Sequence, residues 1–172
     1  MTRRTLLLLR HGKSDWTVQH DDDRQRPLNP RGRRAALTIG RFLAAAGPLP
    51  DLAIASPAER ARRTLELAAS AGAWNRPVAV AEEIYSESVE GLLEHWLPGF
   101  DDSLRRVLLV GHQPTFSELL RRLVGGGDFR FPTAALARID LPLESWAEPA
   151  AGRGELRWLV TPKILQRWEE AP

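Results

Sequence analysis

Four consecutive leucines, Leu6-Leu7-Leu8-Leu9, run without a spacer into a cation, an imidazole and a glycine, Arg10-His11-Gly12. A short apolar run cut off so sharply reads as a buried strand whose last side chains turn into a site. The triplet is too short to carry much alone. Its place, directly after a buried strand near the N-terminus, is where open α/β sheets put their chemistry. The plainer reading makes His11 a loop histidine that happens to follow a strand.

The rest of the chain repeats the pattern. After a strand at about 5–9 comes a polar loop, Gly12 to Asn29, with the acidic run Asp21-Asp22-Asp23 followed by Arg24 and Arg26. Asn29-Pro30 has the form of an N-cap and first helical residue. That helix is expected to reach about Ala46, with Ala36, Ile39, Leu43 and Ala46 on one face, and to stop at Gly47-Pro48. Leu52-Ala53-Ile54-Ala55 forms a second strand. Ser56-Pro57-Ala58-Glu59 reads as a capping box opening a helix to about Ala71, ended by Gly72. A third strand is placed at 77–81, a short helix at 88–96 closed by Pro98-Gly99, and a fourth strand at Val107-Leu108-Leu109-Val110. Gly111-His112-Gln113-Pro114 then leads into a helix to about Val124, ended by Gly125-Gly126-Gly127. Two further strands, at 134–141 and 155–161, read as an antiparallel pair. Strands alternating with helices predict a three-layer α/β/α fold with a mainly parallel central sheet.

Length and composition set the outer bounds. The 172 residues are enough for one domain with a real core, so a single domain over 1–172 is expected. Hydrophobic content of 43% and charged content of 27% are ordinary for a soluble globular chain and exclude a disordered or fibrous class. There is no cysteine, hence no disulfide framework, thiolate metal site or cysteine nucleophile. The four-leucine run is too short for a signal-peptide core of about 7–15 residues, and no stretch approaches the ~20 apolar residues of a membrane span. A cytoplasmic protein with no membrane partner is expected. Net charge is only +2, from 24 basic and 22 acidic residues. The pI of 9.6 reflects arginine, since lysine occurs only at Lys13 and Lys163. It reports residue type more than a large positive field. The arginine clusters at 31–34 and 60–63 lack interleaved aromatics, so no nucleic-acid partner is expected.

Three strands end in chemistry. The first delivers Arg10 and His11, the second Ser56 and, one turn into its helix, Arg60, and the fourth Gly111-His112. In a parallel sheet these ends share one edge, where ligands bind. Two imidazoles and two guanidiniums suit a phosphoryl group, because arginine forks match its oxygens and keep their charge. A helix N-terminus after Ser56 adds backbone N–H donors. No carboxylate cluster stands at metal-ligand spacing, so neither a metal nor a cofactor is expected. One neutral imidazole can attack phosphorus while the second stabilises the phosphoryl oxygens. His11, beside Arg10 and Gly12, is the expected nucleophile, its pKa lowered by the neighbouring arginines. His112 is the expected stabiliser.

Arg10-His11-Gly12 after an apolar strand, Ser56-Pro57-Ala58-Glu59-Arg60-Ala61-Arg62-Arg63-Thr64, and Gly111-His112-Gln113-Pro114 together resemble the histidine phosphatase superfamily, the phosphoglycerate-mutase-like clan. The resemblance spans roughly residues 5–161. It implies that His11 is the residue phosphorylated during turnover and that Arg10, Arg60 and His112 complete the phosphate pocket. The chain lacks the long insertion that covers the site in mutases and acid phosphatases. Arg26-Pro27-Leu28-Asn29-Pro30-Arg31-Gly32 and Phe131-Pro132-Thr133-Ala134-Ala135 are similar to the SixA-type phosphohistidine phosphatases, and by that likeness Arg26 also contacts phosphate.

One departure stands out. Much of the superfamily supplies a carboxylate that protonates the leaving group, and no residue of Glu82-Glu83-Ile84-Tyr85-Ser86-Glu87 matches it cleanly. Glu83, Glu87 and Asp15 are candidates, each with an ordinary surface role as the alternative. The imidazole leaving phosphohistidine can carry its own proton, so an acid-poor site fits that substrate. The expected function is hydrolysis of phosphohistidine on a partner protein. The alternatives are a phosphomonoesterase acting on a small phosphorylated substrate and a non-catalytic phosphate- or phosphoprotein-binding module. His20 and His95 have no expected role, and Trp16 either lines the mouth of the site or packs at its rim.

Overall fold

In the first strand, β1 (Arg4–Arg10), the four leucines alternate between two cores. Leu6 and Leu8 enter one, with Phe116, Leu119 and Leu123; Leu7 and Leu9 enter the other, with Ile39, Leu43 and Leu65. All four are at most 1% exposed. The run therefore has no polar alternation because neither face meets water. Burying each leucine contributes on the order of 1.5–3 kcal/mol, so β1 anchors both layers. A computed structural model describes residues 3–47 and 49–169.

The elements follow the alternation expected. α1 (Pro30–Ala46), β2 (Leu52–Ala55), α2 (Glu59–Ala71), β3 (Val78–Val80) and two short helical turns, α3 (Glu83–Ser86) and α4 (Val89–Gly91), come first. The last of these continues through π and 3-10 turns to Gly99. β4 (Arg106–Gly111), α5 (Thr115–Val124), β5 (Leu136–Leu141), β6 (Glu155–Val160) and α6 (Pro162–Glu169) complete the order. The sheet order is β3-β2-β4-β1-β5-β6. β3, β2, β4 and β1 are parallel neighbours, while β5 is antiparallel to both β1 and β6. This is the three-layer, mainly parallel fold that the alternation predicts.

β1 connects through α1 to β2 on one side of the β1–β4 pair, and β4 connects through α5 to β5 on the other. α1 and α2 pack on the core of Leu7 and Leu9, α5 on that of Leu6 and Leu8. The chain thus leaves β1 and β4 in opposite directions, and the crevice beyond their carboxyl ends is the switch point at which such sheets bind ligands.

Several local expectations change in the structure. Asn29 caps α1 as expected, its side chain accepting from the Gly32 N–H at 2.8 Å. Ala36, Ile39 and Leu43 are buried, but Ala46 is exposed, lying in the last turn beyond the core. The helix stop at Gly47 is present; Pro48 lies outside the described residues. The capping box at Ser56 does not form. α2 begins at Glu59, its N-cap is Ala58, and no side chain caps it. β3 is shorter than expected and exposed, an edge strand with little to bury. α6 was not expected, although Thr161-Pro162 before Ile164 and Leu165 is an ordinary helix start.

Candidate active site

The parallel pairing of β4 with both β1 and β2 sets three strand ends side by side. Arg10 pairs with Gly111, the His11 N–H donates to the Gly111 carbonyl at 3.0 Å, and the Ser56 N–H donates to the Val110 carbonyl at 2.9 Å. His11, Ser56 and His112 therefore leave the sheet on one edge. The loop after β1 is pinned from two directions. The Gly12 N–H donates to Thr64 Oγ1 on α2 at 2.9 Å. Gly12 and Lys13 also lie against Gly32 on α1 so closely that a Cβ on Gly32 would stand 2.2 Å from the Lys13 carbonyl oxygen. Both glycines are needed for that approach.

His11 is buried, and its ring has both nitrogens engaged. Nδ1 lies 2.7 Å from the Gly12 carbonyl oxygen, which can only accept. Nε2 lies 3.3 Å from Arg60 Nε, which can only donate. The neutral ring thus carries its proton on Nδ1, and its Nε2 lone pair accepts from Arg60 at the cavity wall. Desolvation by burial is the main cause that pushes the His11 pKa down to about 3, with His112, Arg60 and Arg10 adding repulsion. The expectation gave the arginines the leading part; burial comes first. His112 is pushed down to about 4, again by burial first and then by Arg60. The two rings stand 5.2 Å apart between centroids. His112 Nε2 is 2.7 Å from Ser56 Oγ, which also accepts from the Ala58 N–H at 3.3 Å. Ser56 lies ahead of the Ala58 N-cap, so its hydroxyl is not placed to cap α2.

Around them lies an open cavity of about 560 Å³, bordered by Arg10, Arg26, Arg60, Asp23, Tyr85 and Trp16 as well as both histidines. Arg10 is held by the Phe131 carbonyl through Nη1 at 2.9 Å. The Arg26 guanidinium lies 3.5 Å over the Trp16 ring, and a Tyr85 edge meets His112 at 5.3 Å. Asp23 bridges two of the arginines. Its carboxylate accepts from Arg60 Nη2 at 2.8 Å and from Arg26 Nη2, and its carbonyl accepts from Arg60 Nη1 at 2.6 Å. Burial opposes the Asp23 charge, but Arg60 and Arg26 outweigh it and hold the carboxyl below its usual range. Arg10 Nε and both Arg26 Nε and Nη1 are buried without a partner among the described residues. Orphaned donors beside two imidazoles are what an oxyanion ligand satisfies.

Comparison with known proteins agrees with this geometry. The sequence profile of the histidine phosphatase superfamily (branch 1) matches residues 6–92. The uncharacterized protein Rv1276c of Mycobacterium tuberculosis is 33% identical over 168 residues, spanning 90% of this chain and 100% of that one. The chain belongs to the histidine phosphatase superfamily. Two solved structures assigned as phosphohistidine phosphatase SixA are similar throughout. That from Nakamurella multipartitia is 27% identical with a TM-score of 0.78, covering 93% of this chain and 96% of the other. That from Agrobacterium tumefaciens is 28% identical with a TM-score of 0.76, covering 92% and 98%.

Within this SixA-like histidine phosphatase, all five residues singled out from the sequence, Arg10, His11, Arg26, Arg60 and His112, border one cavity. The three acids do not. Asp15 accepts from the Thr17 N–H and hydroxyl, and Glu83 and Glu87 lie off the cavity lining. Asp23 is the acid present, and its acidic run gave no sign of it because such runs are usually solvated. Tyr85 sat unnoticed between the acids considered. Ser56 and Thr64 were inside a recognised motif, but their partners, His112 and Gly12, become visible only with the strand pairing. Among the described residues no group of three or more His, Asp or Glu is placed to hold a metal ion, and no helix is long and apolar enough to cross a membrane.

Proposed function

We propose that this histidine phosphatase removes the phosphoryl group from phosphohistidine on a partner protein, in two steps through a phosphohistidine at His11. The observation that carries the reading is the neutral His11 ring, protonated at Nδ1, with its Nε2 lone pair held by Arg60 Nε–H at the wall of an arginine-lined cavity. In the first step Arg60 gives up its hydrogen bond to Nε2 in favour of the phosphoryl oxygens, the freed Nε2 pair attacks phosphorus in line, and the electron pair of the breaking P–N bond leaves with the substrate imidazole. That ring carries a proton on its other nitrogen and departs neutral. Arg10, Arg26 and Arg60 hold the equatorial oxygens, and His112 donates to them as charge builds. In the second step water attacks the phosphoryl group on His11. The P–Nε2 bond breaks, its pair returns to Nε2, and dihydrogen phosphate is released. The Gly12 carbonyl holds the Nδ1 proton throughout and favours the cationic phosphohistidine ring.

The chemistry of the leaving group supports the phosphohistidine reading. Asp23, the acid that borders the cavity, is held as a carboxylate by two arginines and has no proton to give. A departing imidazole needs none, whereas a departing alkoxide does. A second reading rests on the same residue. A bound phosphoryl group competes for Arg26 and Arg60, and a released Asp23 could then take up a proton and act on a small phosphomonoester. Side-by-side kcat/KM values on a phosphohistidine protein and on small alkyl phosphates test the choice. Preference for the phosphohistidine by at least about tenfold is expected; preference for the alkyl ester would overturn it.

A further inference from the structure

A second and larger cleft, about 770 Å³, opens beside the catalytic cavity. Five cations border it: Lys13, Arg31, Arg34, Arg130 and Lys163. No carboxylate lines it, and none of the five has an acidic partner among the described residues. Some surface arginines sit beside acids, as Arg63 does with Glu66, Arg121 with Glu118 and Arg153 with Glu148, and others, such as Arg41, Arg62 and Arg76, stand alone among the described residues; what sets the cleft apart is that its cations converge on one concave surface. The cleft also gathers both lysines of the chain. Four separate segments supply these charges: the loop after β1, the first turns of α1, the approach to β5 and the start of α6. Like charges converging on one concave surface repel one another and focus a positive potential there. Lys13 and Thr133 border both this cleft and the catalytic cavity, so an occupant of one is continuous with an occupant of the other.

We propose that this cleft docks an acidic segment of the protein substrate, flanking the phosphohistidine whose phosphoryl group enters the His11 cavity. The proposal rests on the phosphohistidine reading for the identity of that substrate. Carboxylates of the segment would pair with Arg31, Arg34, Arg130 and Lys163 while Lys13 spans the junction. The shared border makes the cleft a specificity device: it lowers KM for partners with the right flank and leaves the chemistry at His11 alone. A nucleic-acid strand fits less well, because among the described residues no aromatic side chain lines the cleft to stack on a base.

The test uses the intact protein and the variant Arg31→Glu/Arg130→Glu, both exposed positions outside the catalytic cavity. Turnover of p-nitrophenyl phosphate, expected to be equal in the two, verifies folding. An unphosphorylated, fluorescently labelled acidic peptide reports docking by anisotropy, independent of any turnover. Carbodiimide coupling then joins its carboxylates to protein amines, which among side chains are only Lys13 and Lys163. The expected results are salt-sensitive binding weakened about tenfold or more in the variant and cross-links at Lys163. Phosphohistidine peptides with acidic flanks should show a lower KM than neutral ones, and the variant should remove that advantage. Equal binding of acidic and neutral peptides, binding unchanged in the variant, or tighter binding of an oligonucleotide of equal charge would each overturn the proposal. If the acidic peptide docks as expected but no phosphohistidine peptide is turned over, the cleft assignment stands and the phosphohistidine reading fails.

Discussion

Arg60 Nε donates to His11 Nε2 across 3.3 Å, so the proposed phosphate ligand also fixes the proton of the proposed nucleophile. A guanidinium has no acceptor, and this contact exists only while Nε2 holds its lone pair. The Gly12 carbonyl enforces the same tautomer from the opposite side of the ring. The Arg60 side chain on α2 and the Gly12 carbonyl in the loop after β1 thus fix which nitrogen of His11 carries the proton.

Arg60→Lys is expected to be a severe substitution despite keeping the charge. Lysine cannot hold His11 Nε2 through one nitrogen while meeting phosphate with a fork of others. Steady-state rates on p-nitrophenyl phosphate should fall by about 10²–10³, with the fold intact by circular dichroism. A variant within a few-fold of the wild type would show that the His11–Arg60 contact is incidental.

Asp23→Asn separates the two proposed substrates. The carboxylate competes with phosphate for Arg26 and Arg60, so its neutralisation should tighten inhibition by inorganic phosphate by about tenfold. Phosphohistidine turnover should stay near the wild-type value. A selective loss of activity on alkyl phosphates, measured on the same preparation, would mark Asp23 as their proton donor. Loss on both substrates would contradict the acid-free route.

The two depressed imidazoles predict how stability depends on pH. In the unfolded chain each takes up a proton near its ordinary pKa of 6.5, whereas in the folded chain they do so only at about 3 for His11 and about 4 for His112. Between those limits the unfolded state binds more protons, so stability falls as the pH drops through this window. Urea midpoints should be level above about pH 7 and decline steadily below about 6. Imidazole resonances of His11 and His112 in the free protein should show no titration near 6.5; a titration there would contradict the burial argument.

Much of this architecture can be read from local patterns. Leu6–Leu9 marks the central strand because both its faces are dry, and Asn29-Pro30 marks a helix start because its cap is made by neighbours in sequence. Arg10, His11, Arg60 and His112 follow from strand ends sharing one edge. What escapes is set by partners distant in the chain. Ser56-x-x-Glu59 has the spacing of a capping box, yet the Ser56 hydroxyl turns to His112, fifty-six residues on. Asp23 looks like one of three solvated acids until the loop lays it across Arg26 and Arg60. Ala46 has the right helical phase, but the core beneath α1 ends before it. The start of α6 at Thr161-Pro162 is a local signal that directly abuts the end of β6.

The most direct measurement is capture of the intermediate. Protein mixed with phosphohistidine substrate should be quenched in alkali on the millisecond scale, digested, and the phosphorylated residue located by mass spectrometry. The expected result is acid-labile, alkali-stable phosphate on His11, formed and lost at rates compatible with turnover and absent in His11→Ala, which should retain less than about a thousandth of wild-type activity. Full turnover with no phosphate on His11, or phosphate accumulating on His112 in its place, would contradict the assignment of His11 as nucleophile.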